Sequence, residues 1–168
     1  MAAHSSMAIA NEFLKLQGGE VGLTQMQLQK LAYIAHGWNL AINGEPLIAE
    51  DVQAWDNGPV FRELWDHLTR YGSAFVTRLI SPANKPNFFT RELSTEPYKA
   101  KLSKEERAVI EHVWKRYGRY GAFRLSGLTH QEGTPWYKTY FVKGKNAVID
   151  PDDIRRHYVE LARAARAG

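Results

Sequence analysis

One stretch of this 168-residue chain carries a helical pattern strong enough to organise the rest of the fold. Thr24 is a suitable N-cap before the stretch, and Gly44 is a suitable stop after it. The apolar residues between them that follow helical spacing are Leu28, Leu31, Ala35, Trp38 and Ile42. The pattern predicts an amphipathic helix with one face in the centre of the core.

Capping and proline signals predict further helices around this one. Phe61, Leu64, Trp65 and Leu68 form the apolar stripe of the third helix, and Pro59 stands in its first turn. We expect the other helices from Ser5 or Ser6 to Leu16, after the Ser103/Glu106 capping box, over Ala122–Leu128, from Thr134-Pro135, and from Asp150-Pro151 to about Ala165.

Two short segments favour extended structure instead. Val52, Ala54 and Trp55 suit one strand, and Phe75 to Ile80 suit another. The predicted fold class is therefore mainly α (α+β): a single compact helical domain of about six to seven helices with a small two- to three-stranded β element.

The domain organisation is expected to be simple. We assign residues 1–168 to one domain, since neither side of the proline-containing segment 81–97 is large enough for a comfortable core. That segment is expected to be a long loop. Residues 1–6 are expected to be disordered, with Met7 as an alternative start.

Composition excludes several classes of function. The chain has no cysteine, which rules out disulfides, thiolate metal sites and cysteine nucleophiles. No apolar run approaches the ~20 residues that span a bilayer, and the first residues do not resemble a secretory signal. A cytoplasmic location is the expectation, without a membrane partner.

Charge is unevenly distributed along the chain. Residues 1–98 carry a net charge of −3, whereas residues 99–168 carry +7, with the excess mainly between Lys99 and Arg124. A solvated basic face, a docking surface for an acidic protein and a nucleic-acid contact all fit this pattern. Because the segment lacks a recognisable reader motif, nucleic acid is not expected as a partner.

Signals for catalysis are weak. His36 has no second ligand three or four residues away, so we interpret it as a buried, hydrogen-bonded histidine. The Thr129-His130-Gln131-Glu132 string has three open interpretations: structural capping, partner contact, or general-base chemistry by His130 and Glu132. Ser126 lies outside a nucleophile elbow, and no phosphate-binding glycine loop is present.

The corner from Ala54 to Val60 combines a tryptophan, an Asx-type turn, a glycine and a proline. Trp55 either fills the core at a strand-to-helix corner or forms an aromatic platform on a binding surface. The sequence leaves both interpretations open.

Together these strings resemble the Panacea domain family, which includes the SocA-like antitoxins of bacterial and phage toxin–antitoxin systems. The resemblance extends over roughly residues 8 to 160. The matching strings are Leu28-Gln29-Lys30-Leu31, Tyr33-x-Ala35-His36-Gly37-Trp38, Gly44 with Pro46-Leu47, Glu50-Asp51, Ala54-Trp55-x-x-Gly58-Pro59-Val60, Leu125-Ser126-x-Leu128-Thr129-His130, Pro135-Trp136, and Ile154 ahead of Tyr158.

The resemblance implies an antitoxin that binds and neutralises a cognate toxin protein, often encoded in a prophage. SocA-like members are proteolytic adaptors that deliver the toxin to the ClpXP protease; direct masking of the toxin is the alternative. The resemblance brings no catalytic residue, metal or cofactor, and we expect a non-enzyme, with a small His130/Glu132 hydrolase as the competing hypothesis. The candidate partner-binding residues are Trp55, Asn57, Thr129, His130, Trp136, Arg116 and Arg119.

Overall fold

The centre of the computed structural model, which describes residues 3–18, 21–85 and 93–167, is a 19-residue helix, α2 (Gln25–Asn43). Its start is a capping box in which Thr24 and Gln27 satisfy each other's backbone amides. Its end is Gly44 at φ 75°, in the left-handed region that favours glycine. Both predicted boundaries are confirmed.

Six more helices and four short strands are present within the described ranges. The helices are α1 (Ser6–Gln17), α3 (Arg62–Leu68), α4 (Lys104–Tyr117), α5 (Ala122–His130), α6 (Pro135–Lys143) and α7 (Pro151–Ala167). The strands are β1 (Leu23–Thr24), β2 (Gln53–Trp55), β3 (Gly58–Val60) and β4 (Phe75–Val76). The mainly α fold class with a small β element is thereby confirmed.

Helix α2 is buried because α1, α4, α5 and α7 all pack against it. Leu28, Leu31, Ala35 and Trp38 are buried as predicted. Ile42, which was assigned to the same stripe, is instead 56% exposed, because it lies in the last turn of α2, where the helix is no longer fully covered. The core thus surrounds the first four turns of α2 more closely than its end.

The four strands form two antiparallel pairs, β1 with β4 and β2 with β3. Pro59 was predicted in the first turn of α3, and this is wrong: it lies in β3, paired with Ala54. Helix α3 begins only at Arg62, because Phe61 is still extended at φ −88° and ψ 110°. The predicted strand Phe75 to Ile80 is shorter than expected and ends at Val76.

The first described residues are tied to the body of the protein. The His4 amide donates to the Leu47 carbonyl, and the Ala49 amide donates to the His4 carbonyl. Ser6 donates from its amide and its hydroxyl to the Glu50 carboxylate, both at 2.6 Å. The expected disorder of residues 1–6 is therefore wrong for residues 3–6; residues 1 and 2 lie outside the described ranges.

The proline-containing segment 81–97 is described only in part, since residues 86–92 lie outside the described ranges. Its beginning is anchored by Asn11 of α1. The Asn11 amide group donates to the Ile80 and Tyr98 carbonyls, while its oxygen accepts from the Ile80 amide. Among the described residues, no helix has the length and apolar character needed to cross a membrane.

Candidate functional site

The site is built on the β2–β3 hairpin and the turn at Asp56 and Asn57. Gly58 closes the turn at φ 120°, a conformation that side chains disfavour. On its outer edge β2 pairs with the segment before α7: the Asn146 amide donates to the Ala54 carbonyl at 2.7 Å, and the Ala54 amide donates to the Ala147 carbonyl at 2.8 Å. Neighbouring backbone therefore fixes the hairpin along β2.

Helix α2 fastens the other side of the hairpin with a buried glutamine. The Gln29 amide group donates to the Phe61 carbonyl at 3.0 Å, and the Phe61 amide donates to the Gln29 oxygen at 2.9 Å. The Phe61 amide is thus satisfied by a side chain, and its carbonyl accepts from Gln29 as well as from the Trp65 amide at 3.1 Å in the first turn of α3. This pair of hydrogen bonds explains why the chain stays extended at Phe61 and enters α3 one residue later.

Lys30, the next residue on α2, is entirely buried. Its ammonium donates to the Pro59 carbonyl at 2.8 Å, and its end lies next to Gly58, where a Cβ would come within 3.1 Å of Nζ. Burial lowers the pKa of Lys30 from 10.5 to about 7, because the low-dielectric interior disfavours the charged amine. A lysine in the core is rare, and here its side chain hydrogen-bonds to the hairpin backbone.

Helices α5 and α6 hold the tip of the hairpin. Ser126 donates its hydroxyl to the Asn57 carbonyl at 2.7 Å, and the Trp136 indole donates to the Trp55 carbonyl at 2.6 Å. Thr129 is buried and donates back to the carbonyls of its own helix. Of the predicted site residues, Trp136 is therefore a buried support of the hairpin, whereas Thr129 is buried and bonded within α5.

His130 continues this support. Its Nδ1 lies 3.2 Å from the Ser126 hydroxyl oxygen, and its ring packs edge-on against Trp136 at 5.3 Å between centroids. Because Ser126 gives its proton to Asn57, His130 is the donor in this contact. Within the described ranges, no hydrogen bond or ion pair joins His130 to Glu132, whose side chain is exposed. These contacts account for His130 as a structural residue.

His36 is buried, as predicted from the sequence, and its Nδ1 accepts a hydrogen bond from the Ile48 amide at 3.2 Å. Burial lowers its pKa to about 4, which keeps the imidazole neutral and able to accept that bond. The edge of its ring also meets Phe61. Among the described residues, no cluster of three or more His, Asp or Glu side chains is arranged to hold a metal ion.

A groove of about 700 Å³ opens between the hairpin, α2 and α3. Trp55 is half-buried and Trp65 is 36% exposed, and their rings meet edge-on at 5.4 Å in its wall. We call this the tryptophan groove; its walls include Gln25, Met26, Trp55, Val60, Arg62 and Trp65. The Trp55 ring therefore lies in the groove wall and does not fill the core, while the Trp55 carbonyl accepts from Trp136; the binding platform stays a prediction.

The rim of the groove carries an exposed charged group. Asp56 accepts from the Tyr140 hydroxyl at 2.6 Å and pairs with Lys145 at 3.0 Å. The hydrogen bond from Tyr140, followed by that from Lys145, holds the pKa of Asp56 below its usual range. Since the group is exposed, it orients the turn more than it stabilises the fold. Asn57 is exposed beside it.

Arg116 and Arg119, the other two predicted site residues, lie outside the groove lining, at the end of α4 and just beyond it. Both are exposed. The Arg116 guanidinium lies 5.7 Å from the Trp38 ring centroid and 5.2 Å from that of Tyr117. They belong to the basic segment between Lys99 and Arg124, and Arg124, in α5, likewise stacks on Tyr120 at 3.7 Å.

Sequence reasoning missed two groove residues, Arg62 and Trp65. Trp65 was placed on the buried stripe of α3, and this is wrong, because Leu64 and Leu68 take the buried positions while Trp65 faces the groove. The signal was present: residues three apart share a helix face, so Arg62 and Trp65 place a cation and an aromatic ring on the same face of α3.

Two comparisons with known proteins found sequence relatives of this chain. A family profile described as "Antitoxin SocA-like, Panacea domain" matches residues 28–137, which include most of α2, the hairpin, α5 and the start of α6. A protein named Antitoxin SocA from Caulobacter vibrioides (strain NA1000 / CB15N) is 30% identical over 131 residues, covering 77% of this chain and 66% of the relative. The chain thus spans about two thirds of the length of that curated relative. No solved structure matches significantly.

The matched residues coincide with the network that fixes the hairpin: Gln29, Lys30, Ser126 and Trp136 all lie inside the matched region. On this basis the chain belongs to the family of SocA-like antitoxins with a Panacea domain.

Proposed function

We propose that this protein is a cytoplasmic antitoxin that binds and neutralises a cognate toxin protein. Membership of the SocA-like family is the observation that carries this proposal. The function needs a recognition surface and no bond-making chemistry, which agrees with contacts that use His130 and Ser126 to support the hairpin.

The tryptophan groove is the surface that best suits a protein partner. It places two tryptophans, the side chains most enriched among energetic anchors of interfaces, beside an arginine on a rigid hairpin and helix. A preorganised surface of this kind loses little conformational entropy on binding.

The predicted partner-binding residues take different parts in this proposal. Trp55 and Asn57 contact the toxin directly at the groove. His130 and Trp136 support the hairpin that presents them, and Thr129 stabilises α5 behind it. Arg116 and Arg119 add positive charge outside the groove, where they steer an acidic toxin during encounter and contribute to the rate of association more than to affinity.

Co-expression with neighbouring reading frames tests the proposal. We expect one adjacent frame to arrest growth when expressed alone and this chain to restore growth when both are expressed. A pull-down of the two purified proteins should then give a stable complex. If no neighbouring product is toxic, or if toxicity persists despite soluble antitoxin, the proposed function is wrong.

For the mechanism of neutralisation, we propose that the protein delivers the toxin to ClpXP. The alternative mechanism is direct masking of the toxin. The half-life of the toxin, followed after translation is stopped, separates the two. We expect it to shorten when this protein and ClpXP are both present and to return to its basal value in cells without ClpXP. An unchanged half-life together with restored growth would support masking.

A further inference from the structure

The tryptophan groove carries a positive charge that the described part of this chain does not neutralise. Lys30, Arg62 and Lys145 contribute cations to its lining, and Asp56 contributes the one carboxylate. Lys145 is paired with Asp56, and Lys30 is committed to the Pro59 carbonyl. Arg62 is exposed and has no hydrogen-bond or ion-pair partner among the described residues. The groove therefore presents one free guanidinium.

The groove also contains an unmatched hydrogen-bond acceptor. The Gln25 amide nitrogen donates to the Gly72 carbonyl at 2.6 Å, which fixes the orientation of the amide. Its oxygen is buried and has no donor among the residues that the structure describes. A buried acceptor without a partner is unfavourable, so a ligand that supplies an N–H group gains by binding here.

From these features we infer that the tryptophan groove binds an extended segment of the toxin in which an apolar side chain lies next to a carboxylate. The apolar side chain packs on Trp55 and Trp65, the carboxylate pairs with Arg62, and a backbone N–H of the segment donates to the Gln25 oxygen. This inference rests on the proposed antitoxin function and names the chemistry that the antitoxin recognises.

Nucleic acid fits the groove less well than such a segment. Single-stranded nucleic acid needs a positively charged track for successive phosphates in addition to aromatic stacking. Here the only unpaired cation among the described lining residues is Arg62, and the carboxylate of Asp56 lies on the same rim. A peptide with one acidic side chain matches this charge distribution.

Peptide selection tests the chemistry directly. Phage-displayed random peptides are selected on the immobilised full-length protein, on Arg62→Glu, and on Arg155→Glu as a control at an exposed arginine outside the groove lining. We expect the wild type and Arg155→Glu to select an apolar residue beside Asp or Glu, and Arg62→Glu to lose the acidic preference. The same consensus from all three proteins, or no consensus, would overturn the inference.

A selected peptide, labelled with fluorescein, then gives affinities. We expect its Kd to rise at least about tenfold with Arg62→Glu and with Trp65→Ala, and to change less than about twofold with Arg155→Glu. Replacing the acidic residue of the peptide by lysine should weaken binding to the wild type to a similar extent. A single-stranded oligonucleotide that binds more tightly and displaces the peptide would instead assign the groove to nucleic acid.

Growth rescue separates this inference from the proposed function. If the wild type restores growth and the folded Arg62→Glu and Trp65→Ala variants do not, both stand. If all three restore growth equally, the antitoxin function stands and the groove inference is wrong. If the wild type rescues from no neighbouring toxin, the proposed function fails, and the assignment of the segment to a toxin fails with it.

Discussion

Gly37 of α2 lies so close to Tyr158 of α7 that a Cβ added at position 37 would sit 2.2 Å from the nearest ring carbon of Tyr158. The same ring meets Trp38 and Tyr33 edge-on, at centroid distances of 5.4 and 6.2 Å. The absence of a side chain at one position thus allows three aromatic rings to pack between two helices.

The contact predicts that Gly37→Ala destabilises the protein, although alanine favours helix formation by about 1 kcal/mol over glycine. The added methyl group cannot be accommodated unless Tyr158 or α7 moves, and such overpacking costs roughly 1–3 kcal/mol or more. Urea unfolding followed by tryptophan fluorescence measures the change. Gly127→Ala is the matched control in a helix, because nothing lies within 4 Å of the added Cβ, and we expect it to be neutral or stabilising.

Lys30→Met should change how stability depends on pH. The pKa of Lys30 is about 7 in the folded protein against 10.5 in the unfolded chain, so between these values the unfolded state binds more protons. The destabilisation from burying the charge is therefore complete below pH 7 and is relieved as pH rises. We expect the free energy of unfolding of Lys30→Met relative to wild type to be highest near pH 6 and to decline towards pH 10.

The control for this experiment is Lys101→Met, which removes one positive charge from an exposed position. Urea unfolding at pH 6, 7, 8 and 9 gives the comparison. A difference between Lys30→Met and wild type that is constant over this range, after correction by the control, would show that Lys30 is not the titrating group.

His36 predicts a loss of stability in acid. Its pKa is about 4 in the folded protein against 6.5 in the unfolded chain, so the unfolded state takes up the proton first as pH falls from 6.5 to 4. His36→Gln removes this proton uptake and can still accept from the Ile48 amide. Thermal unfolding at pH 6.5 and pH 4.5 should show a smaller drop in Tm for His36→Gln than for wild type, with His112→Gln as the exposed control.

Trp136→Phe tests whether α6 holds the hairpin. The change removes the indole donor to the Trp55 carbonyl and leaves a small void, for a loss of roughly 1–3 kcal/mol in unfolding free energy. Tyr137→Phe, the neighbouring change on α6, should stay within about 0.5 kcal/mol, since the Tyr137 side chain is only half-buried. Equal effects of the two variants in urea unfolding would argue against the hairpin contact.

Local rules predicted the helices well. The predicted N-caps are confirmed, since α2, α4 and α6 are capped by Thr24, Ser103 and Thr134. The last helix begins at the Asp150-Pro151 string, as predicted. Such signals act over one turn and depend on neighbours in sequence, so the sequence alone contains them. The same is true of His36, whose lack of local ligand partners predicted a structural role.

The hairpin region could not be predicted in the same way. Pro59 and Phe61 favoured a helix start by local rules, but Gln29, 32 residues away from Phe61, binds both backbone groups of Phe61 and keeps the chain extended. Trp65 was misassigned for a related reason, since apolar periodicity does not tell which aromatic residue faces a groove. Contacts between distant segments decided both cases.

The interior fastening of the hairpin has a consequence for how such a scaffold can diversify. Its backbone accepts hydrogen bonds from four interior side chains, those of Gln29, Lys30, Ser126 and Trp136. These bonds do not depend on the identity of the side chains at the hairpin tip or on the outer face of α3. Substitutions at those outward positions are therefore tolerated by the architecture. The same framework can thus be adapted to a different partner protein by a few surface substitutions, without changes to its core.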